Sequence, residues 1–389
     1  MKKNILIGVV VGVIAIGITT GFLVVPMLMT PPPSPPPPTD PRVPSWPWPT
    51  YGWVTSTPEE QNMSSAILDD MEFYILSEEI PIDSITIIKN GYLVYEEYYK
   101  DYMVNPDKNF TTTWVLHDNT QKHYIWSCTK AIVSLLIGIA IDHGFIDNTS
   151  QTFFEFFPER WNATYDARKL NITIEHLLRM ESGISGSTAP PYPPVYGYDY
   201  LQRLLAIPLF QDPGDPYEVT WDSYSSAAVT LLSAIINRTT GRLTWDFAQE
   251  YLFDPIGIPK ENMHWGNSSQ YPPYNLTINY GGSSIAMYPQ DMAKIGYLCL
   301  NNGTWNGTQI VSSDWIERSQ TDYPGAVTYG YLWWLSWGVS PSYYYAGGAN
   351  GQKIVVVNEI DMVIVFTAHG DESRQPELIK DYIFNSVIT

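Results

Sequence analysis

The stretch HYIWSCTKAIVSLLIGIAIDHG, residues 123–144, is almost entirely apolar from Ala131 to Ile141, yet it opens on Ser127 and Lys130. A helix that is apolar on every face belongs inside a protein, and a lysine almost never lies there without a partner. Residues i and i+3 of a helix share a face, about 5–6 Å apart, so Lys130 can reach the Ser127 hydroxyl. The reading over 127–145 is a buried helix stopped near Gly144. Its polar first turn lies either at a surface by accident or at a cleft for chemistry. The helix N-terminus adds unpaired N–H groups and positive potential, which suit a developing oxyanion. An apolar wall around Lys130 disfavours the ammonium form and makes its amine a candidate base.

Working outward, PEEQNMSSAILDDMEFYIL from Pro58 has helical spacing, and SITIIKNGYLVYEEYY reads as two strands joined at Asn90-Gly91, a strong hairpin signal. From Gly144 to about residue 320 the text is mostly helical, with loops rich in Pro, Gly, Asn and Tyr. Near the C-terminus YGYLWWLSW, GQKIVVVN and MVIVFTAHG read as strands, EID as a turn, and PELIKDYIFNSV as a last helix. Strands at both ends can share one antiparallel sheet only if the middle is a large insertion. The fold class is therefore α+β, a sheet flanked by helices plus a helical lobe, with the apolar helix at their junction. Pockets form at such junctions.

SCTK opening an apolar helix resembles the Ser-X-X-Lys motif of the serine β-lactamase and penicillin-binding protein superfamily. More specifically, the chain is similar to the class C-like branch that includes esterases and 6-aminohexanoate-dimer hydrolases. The resemblance spans nearly all of residues 58–389, including TIEHLLRMESGI, YSSAAVTLLSAIINRTTG, YLFDPIGI and GGANGQKIVVVNEIDMVIVFT. It implies a β-lactamase/transpeptidase-like fold and acyl transfer through Ser127. The second motif, Tyr-X-Asn, matches Tyr224-Ser225-Ser226. Tyr224 would move protons to and from Ser127 while Lys130 holds both, and a phenol beside an ammonium should ionise more easily than in water. Ser226 replaces the asparagine whose amide contacts substrate. The third motif, Lys-Thr-Gly or His-X-Gly, matches Ala346-Gly347-Gly348 without its cation, which puts β-lactamase activity in doubt. Ser226, Gly347 and Gly348 would line the substrate pocket, and the N–H groups of Ser127 and Ala349 would form the oxyanion hole.

The formal net charge of −19 argues against nucleic acid or anionic headgroups as partners. Residues 5–29 carry no charge and are long enough to span a bilayer as a helix. Two lysines precede them and no lysine follows until Lys89, so the N-terminus should be cytoplasmic and the rest extracellular. A cleaved secretory signal is the rival reading, but its small-residue cleavage site is missing. Residues 30–57, beginning TPPPSPPPPTDPRVPSWPWP, form a Pro-rich stalk, and 58–389 form the hydrolase domain. Asn-X-Ser/Thr sequons stand at Asn62, Asn109, Asn148, Asn162, Asn171, Asn237, Asn267, Asn275, Asn302 and Asn306. They fit either an N-glycosylated extracellular surface or a Thr/Asn-rich surface without sugar. Cys128 and Cys299 read as small core residues rather than a disulfide or nucleophiles.

No Gly-X-Ser-X-Gly elbow is present, which argues against an α/β-hydrolase. The histidines form no His-X-His or His-Glu-X-X-His set, and neither a metal nor a cofactor is expected. His123 reads as a structural or surface residue more readily than a pocket one. The Tyr343–Tyr345 run and the tyrosines of 190–200 are candidates for a cleft wall, with packing as the alternative. The functional reading is a membrane-anchored extracellular serine hydrolase acting on a small ester or amide. A catalytically silent binding or scaffold protein on the same fold is the alternative from another class, and a penicillin-binding-type peptidase the alternative enzyme.

Overall fold

The structure is a computed structural model that describes residues 48–105, 111–116, 118–186, 199–215, 219–220, 222–268, 277–321, 328–336, 338–370 and 372–388. The expected membrane segment 5–29, the stalk to residue 47, Asn109, Asn275 and most of the tyrosine-rich 190–200 lie outside the described residues. No helix of the described residues is long and apolar enough to cross a membrane.

The N- and C-terminal strands do share one antiparallel sheet. Its order is Trp334–Ser336, Tyr343–Gly348, Gln352–Val357, Met362–Ala368, Ile82–Lys89 and Tyr92–Tyr98. The hairpin turns at Asn90 (φ 51°) and Gly91 (φ 81°), the left-handed pair that matches the twist of two-residue hairpins. Gln352–Val357, Met362–Ala368 and Ile82–Lys89 are buried throughout, which requires cover on both faces. The Ser65–Ser77 helix and the C-terminal Gln375–Phe384 segment pack together over one face. The Pro289–Leu300 helix and the helix that follows Ser127 cover the other.

That second helix runs Cys128–Asp142 with its residues buried through Ala140, as its all-apolar text requires. Gly144 ends it at φ 72°, a conformation glycine adopts without steric cost. It packs against the Ser226–Thr240 helix, on which the shorter Phe153–Phe156, Ile174–Leu178 and Tyr200–Ala206 helices gather to form the helical lobe. Both cysteines are buried and free.

Three expectations need correction or addition. YGYLWWLSW is a strand only at Trp334–Ser336. Its first half is a buried turn with Leu332 at φ 63°, tied to the lobe by Leu332 N–H to Leu178 O (3.1 Å) and Tyr331 Oη–H to Glu175 (2.6 Å). Tertiary anchors there outweigh the aromatic strand propensity. A small sheet of His123–Tyr124, Ile285–Met287 and His264–Trp265 was not read from the sequence, nor was the Lys100–Asn105/Thr111–Leu116 ribbon.

At Gly138, in mid-helix, an added Cβ would lie 2.5 Å from Cγ of the Trp315 indole. Gly138→Ala should therefore destabilise the fold by about 2 kcal/mol despite alanine's better helix propensity. Urea unfolding of the two proteins measures this; equal midpoints would mean that the indole moves aside at no cost.

Candidate active site

Ser127 is the N-cap of the buried helix, but its side chain caps nothing. Trp126 precedes it at φ 45° and turns the chain sharply into the helix. Behind that corner, Ile125 N–H bonds Ile285 O at 3.0 Å and Ile285 N–H bonds Thr129 Oγ1 at 3.3 Å. The helix head is thus fastened to the segment after Gly281-Gly282. Among the described residues no group accepts the Ser127 N–H.

Lys130 has no exposure to solvent. Its Nζ lies 2.9 Å from Ser127 Oγ, 3.0 Å from Ser226 Oγ and 2.6 Å from Gly282 O. An ammonium here would spend its three protons on three acceptors. A neutral amine would donate two and turn its lone pair to a hydroxyl, so either protonation state is satisfied. Burial disfavours the charge and lowers the Lys130 pKa to about 7, the neighbouring Cys128 opposing it weakly.

Tyr224 lies in the turn before the Ser226–Thr240 helix, with Nζ of Lys130 4.6 Å from its ring centroid. The expectation that this phenol ionises more readily than in water is overturned. Burial drives its pKa well up, and the hydrogen bonds with Ser127, Trp334 and Tyr329 only partly offset that. With Lys130 itself inclined to neutrality, no firm positive charge stands beside the ring to favour a phenolate.

Ser226 is the first residue of its helix, and Ser225 caps that helix by accepting from Ala228 N–H at 3.3 Å. The missing asparagine is thus replaced by a hydroxyl that reaches Lys130. Gly282 was not singled out from the sequence. A Cβ on it would lie 2.5 Å from Ser226 Cβ, so only glycine lets its carbonyl reach the amine. The double glycine in YGGSS was the available signal.

Ala346, Gly347 and Gly348 lie on the Tyr343–Gly348 strand, with Ala349 opening the turn beyond it. Cys128 Sγ–H points at Ala346 O (3.5 Å) and Gln352 O (3.4 Å). A Cβ on Gly348 would lie 2.2 Å from Ile125 O, so the strand end meets the Trp126-Ser127 corner at backbone distance. Ser127, Tyr224, Ser226, Gly347, Gly348 and Ala349 all line one cleft of about 530 Å³. Trp334, Tyr345 and Glu372 form its outer wall, and Gly186, Val219 and Thr220 line it as well. Of the three consecutive tyrosines only Tyr345 faces it; Tyr344 is core. His123 is buried elsewhere, 3.4 Å from Asp83, in a smaller pocket beyond Trp126.

Fold and cleft define the class, a serine hydrolase of the β-lactamase-related type. Residues 68–386 match the family described as Beta-lactamase, and the chain belongs to that family. It is similar to the 6-aminohexanoate-dimer hydrolase of Paenarthrobacter ureafaciens, 21% identical over 323 residues, 74% of this chain and 72% of that protein. A family VIII carboxylesterase shares the fold at TM-score 0.63 and 15% identity, over 85% of this chain and 98% of the other. The octameric penicillin-binding protein homologue of Pyrococcus abyssi shares it at TM-score 0.58 and 16% identity, over 82% and 76%.

The lowered Lys130 pKa fixes a sign for stability. Between about 7 and the ordinary lysine value of 10.5 the unfolded chain holds a proton that the folded chain lacks. Wild-type stability should therefore climb with pH through that window relative to Lys130→Met, the full cost of the buried amine being present below pH 7. Urea unfolding of both proteins across the window measures the difference; a flat difference would return the Lys130 pKa to its ordinary value.

Proposed function

We propose that the protein cleaves esters or amides through an acyl-enzyme on Ser127. Lys130 is the base: a near-neutral amine 2.9 Å from the Ser127 hydroxyl is the observation that carries the reading. Ser127 Oγ attacks the carbonyl carbon as its proton passes to Lys130 Nζ. The N–H groups of Ser127 and Ala349 hold the resulting oxyanion. The intermediate collapses, and the leaving group departs with a proton from the neutral Tyr224 phenol, which Lys130 replaces. Water then repeats the sequence in reverse and frees the acid and Ser127.

The relatives named 6-aminohexanoate-dimer hydrolase and family VIII carboxylesterase support an ester or amide substrate. Ala346 in place of the third-motif cation speaks against β-lactams and against a penicillin-binding-type peptidase, both of which present a carboxylate there. A silent binding protein would have no use for a buried amine held against a serine.

We also propose that residues 5–29 anchor the chain in a membrane and that the Pro-rich stalk carries the hydrolase outside it. The uncharged length of that segment supports the anchor. Asn62, Asn148, Asn162, Asn171, Asn302 and Asn306 are exposed, as N-glycans require. Asn237 instead donates its side-chain amide to Thr277 O at 2.8 Å. Glycosidase treatment of protein from its native membrane should shift the mass; no shift would remove the glycans from the reading.

The hydrolase is tested with a fluorophosphonate probe on residues 48–389. Ser127 should label and Ser127→Ala should not. Lys130→Met should cut the labelling rate by about three orders of magnitude and Tyr224→Phe by about two, typical for removing a base or an acid. The rate should rise through pH 7 as Lys130 loses its proton. A folded protein that never labels would sink the hydrolase.

A further inference from the structure

The outer wall of the cleft carries a charge that the reaction does not use. Glu372 lines it with its side chain 53% exposed. Its Oε2 accepts from Lys353 Nζ at 2.7 Å, while Oε1 has no hydrogen bond among the described residues. Lys353 stands behind it, 8% exposed, and is also held by Gln375 Oε1 at 2.8 Å. The pair is therefore a dipole whose negative end faces the cleft. Beside Glu372 stands Tyr345, whose ring stacks on Trp334 with centroids 6.4 Å apart and planes 17° apart, and Trp334 in turn packs on Tyr224 at 5.5 Å. Tyr345 already faces a cation, with Lys353 Nζ 5.5 Å from its centroid.

We propose that this wall recognises a positively charged substrate, an ester or amide bearing an alkylammonium group, with Glu372 as its specificity-determining residue. The proposal rests on the hydrolase reading above and adds its substrate class. A carboxylate beside aromatic faces provides both partners an alkylammonium takes, a counter-charge and ring quadrupoles. The position where a cation would hold an anionic substrate is Ala346. A carboxylate-bearing substrate would have to expel Glu372 to reach Lys353, which does not line the cleft. The net charge of −19 also favours the approach of cations.

The test compares three p-nitrophenyl esters of matched chain length, one ending in trimethylammonium, one in methyl and one in carboxylate. Wild type should favour the cationic over the neutral ester by about tenfold in kcat/KM and disfavour the anionic one, with the preference shrinking between about 10 mM and about 0.5 M salt. Glu372→Gln should collapse the cationic-to-neutral ratio towards one. The double variant Lys353→Gln/Glu372→Gln removes the stranded ammonium and should give the same ratio, separating recognition from misfolding. Hydrolysis of the neutral ester with no charge preference, or a preference that survives Glu372→Gln, would overturn the proposal and leave the hydrolase standing. Preference for the carboxylate ester would also overturn it, by making Lys353 the recognition residue. No hydrolysis of any ester together with no fluorophosphonate labelling would fail the hydrolase, and the proposal with it.

Discussion

The head of the buried helix depends on one amine kept out of water. Lys130 is enclosed on all sides, and a buried lysine is tolerable only if its polar atoms find partners. It has three, and they differ in kind. Gly282 O can only accept, whereas the two serine hydroxyls can accept or donate. The carbonyl therefore anchors the amine, and the hydroxyls adjust to whichever protonation state it is in. Only hydroxyl hydrogens, and no heavy atom, need move between the two protonation states.

That cradle sets the conditions for three separate pieces of chain. The corner at Trp126 must aim the Ser127 hydroxyl at the amine. The Ser226 helix must start against Gly282 closely enough that its Cβ leaves no room for another on that residue. The end of the Tyr343–Gly348 strand must reach the corner at backbone distance, as the contact of Gly348 with Ile125 O demands. Two glycines with ordinary extended or turn geometry are needed here for space, not for conformation. The replacement of asparagine by Ser226 fits the same logic. A hydroxyl keeps the oxygen that Lys130 bonds while giving up the amide that would reach into the cleft.

Much of this was legible in the sequence, because the strongest signals are local. An apolar run that opens on Ser-X-X-Lys states a buried helix whose polar first turn meets a cleft. Asn90-Gly91 between β-branched runs states a hairpin, and strands at both termini state a shared sheet. What could not be read depends on contacts between distant residues. Tyr329–Trp333 has strand composition but is held as a turn by Leu178 and Glu175, some 150 residues earlier. Gly282 has meaning only once Ser226 is known to lie against it. The direction of the Tyr224 pKa also escaped, since the sequence places a lysine near the phenol but does not show that burial acts on the phenol itself. Glu372 carries no motif at all; only the closing of the strand end over the cleft gives it a substrate to face.

The two halves of the cleft are built on different supports. Ser127, Lys130, Tyr224 and Ser226 sit at the heads of two buried helices, where any change in volume disturbs the core. The other wall hangs on the Trp334–Ser336 edge strand, on its neighbour Tyr343–Gly348 and on the segment after Met362–Ala368, through Trp334, Tyr345, Gly347 and Glu372. Trp334, Tyr345 and Gly347 are only half-buried and Glu372 is exposed, so a residue there can change without moving the amine. Ala346, in place of the third-motif cation, is buried in the core, yet the strand keeps its register with Gln352–Val357, and the Ala349 N–H depends on backbone alone. A site built this way can alter what it accepts without disturbing the amine, so its substrate has to be argued from the wall and not from the fold.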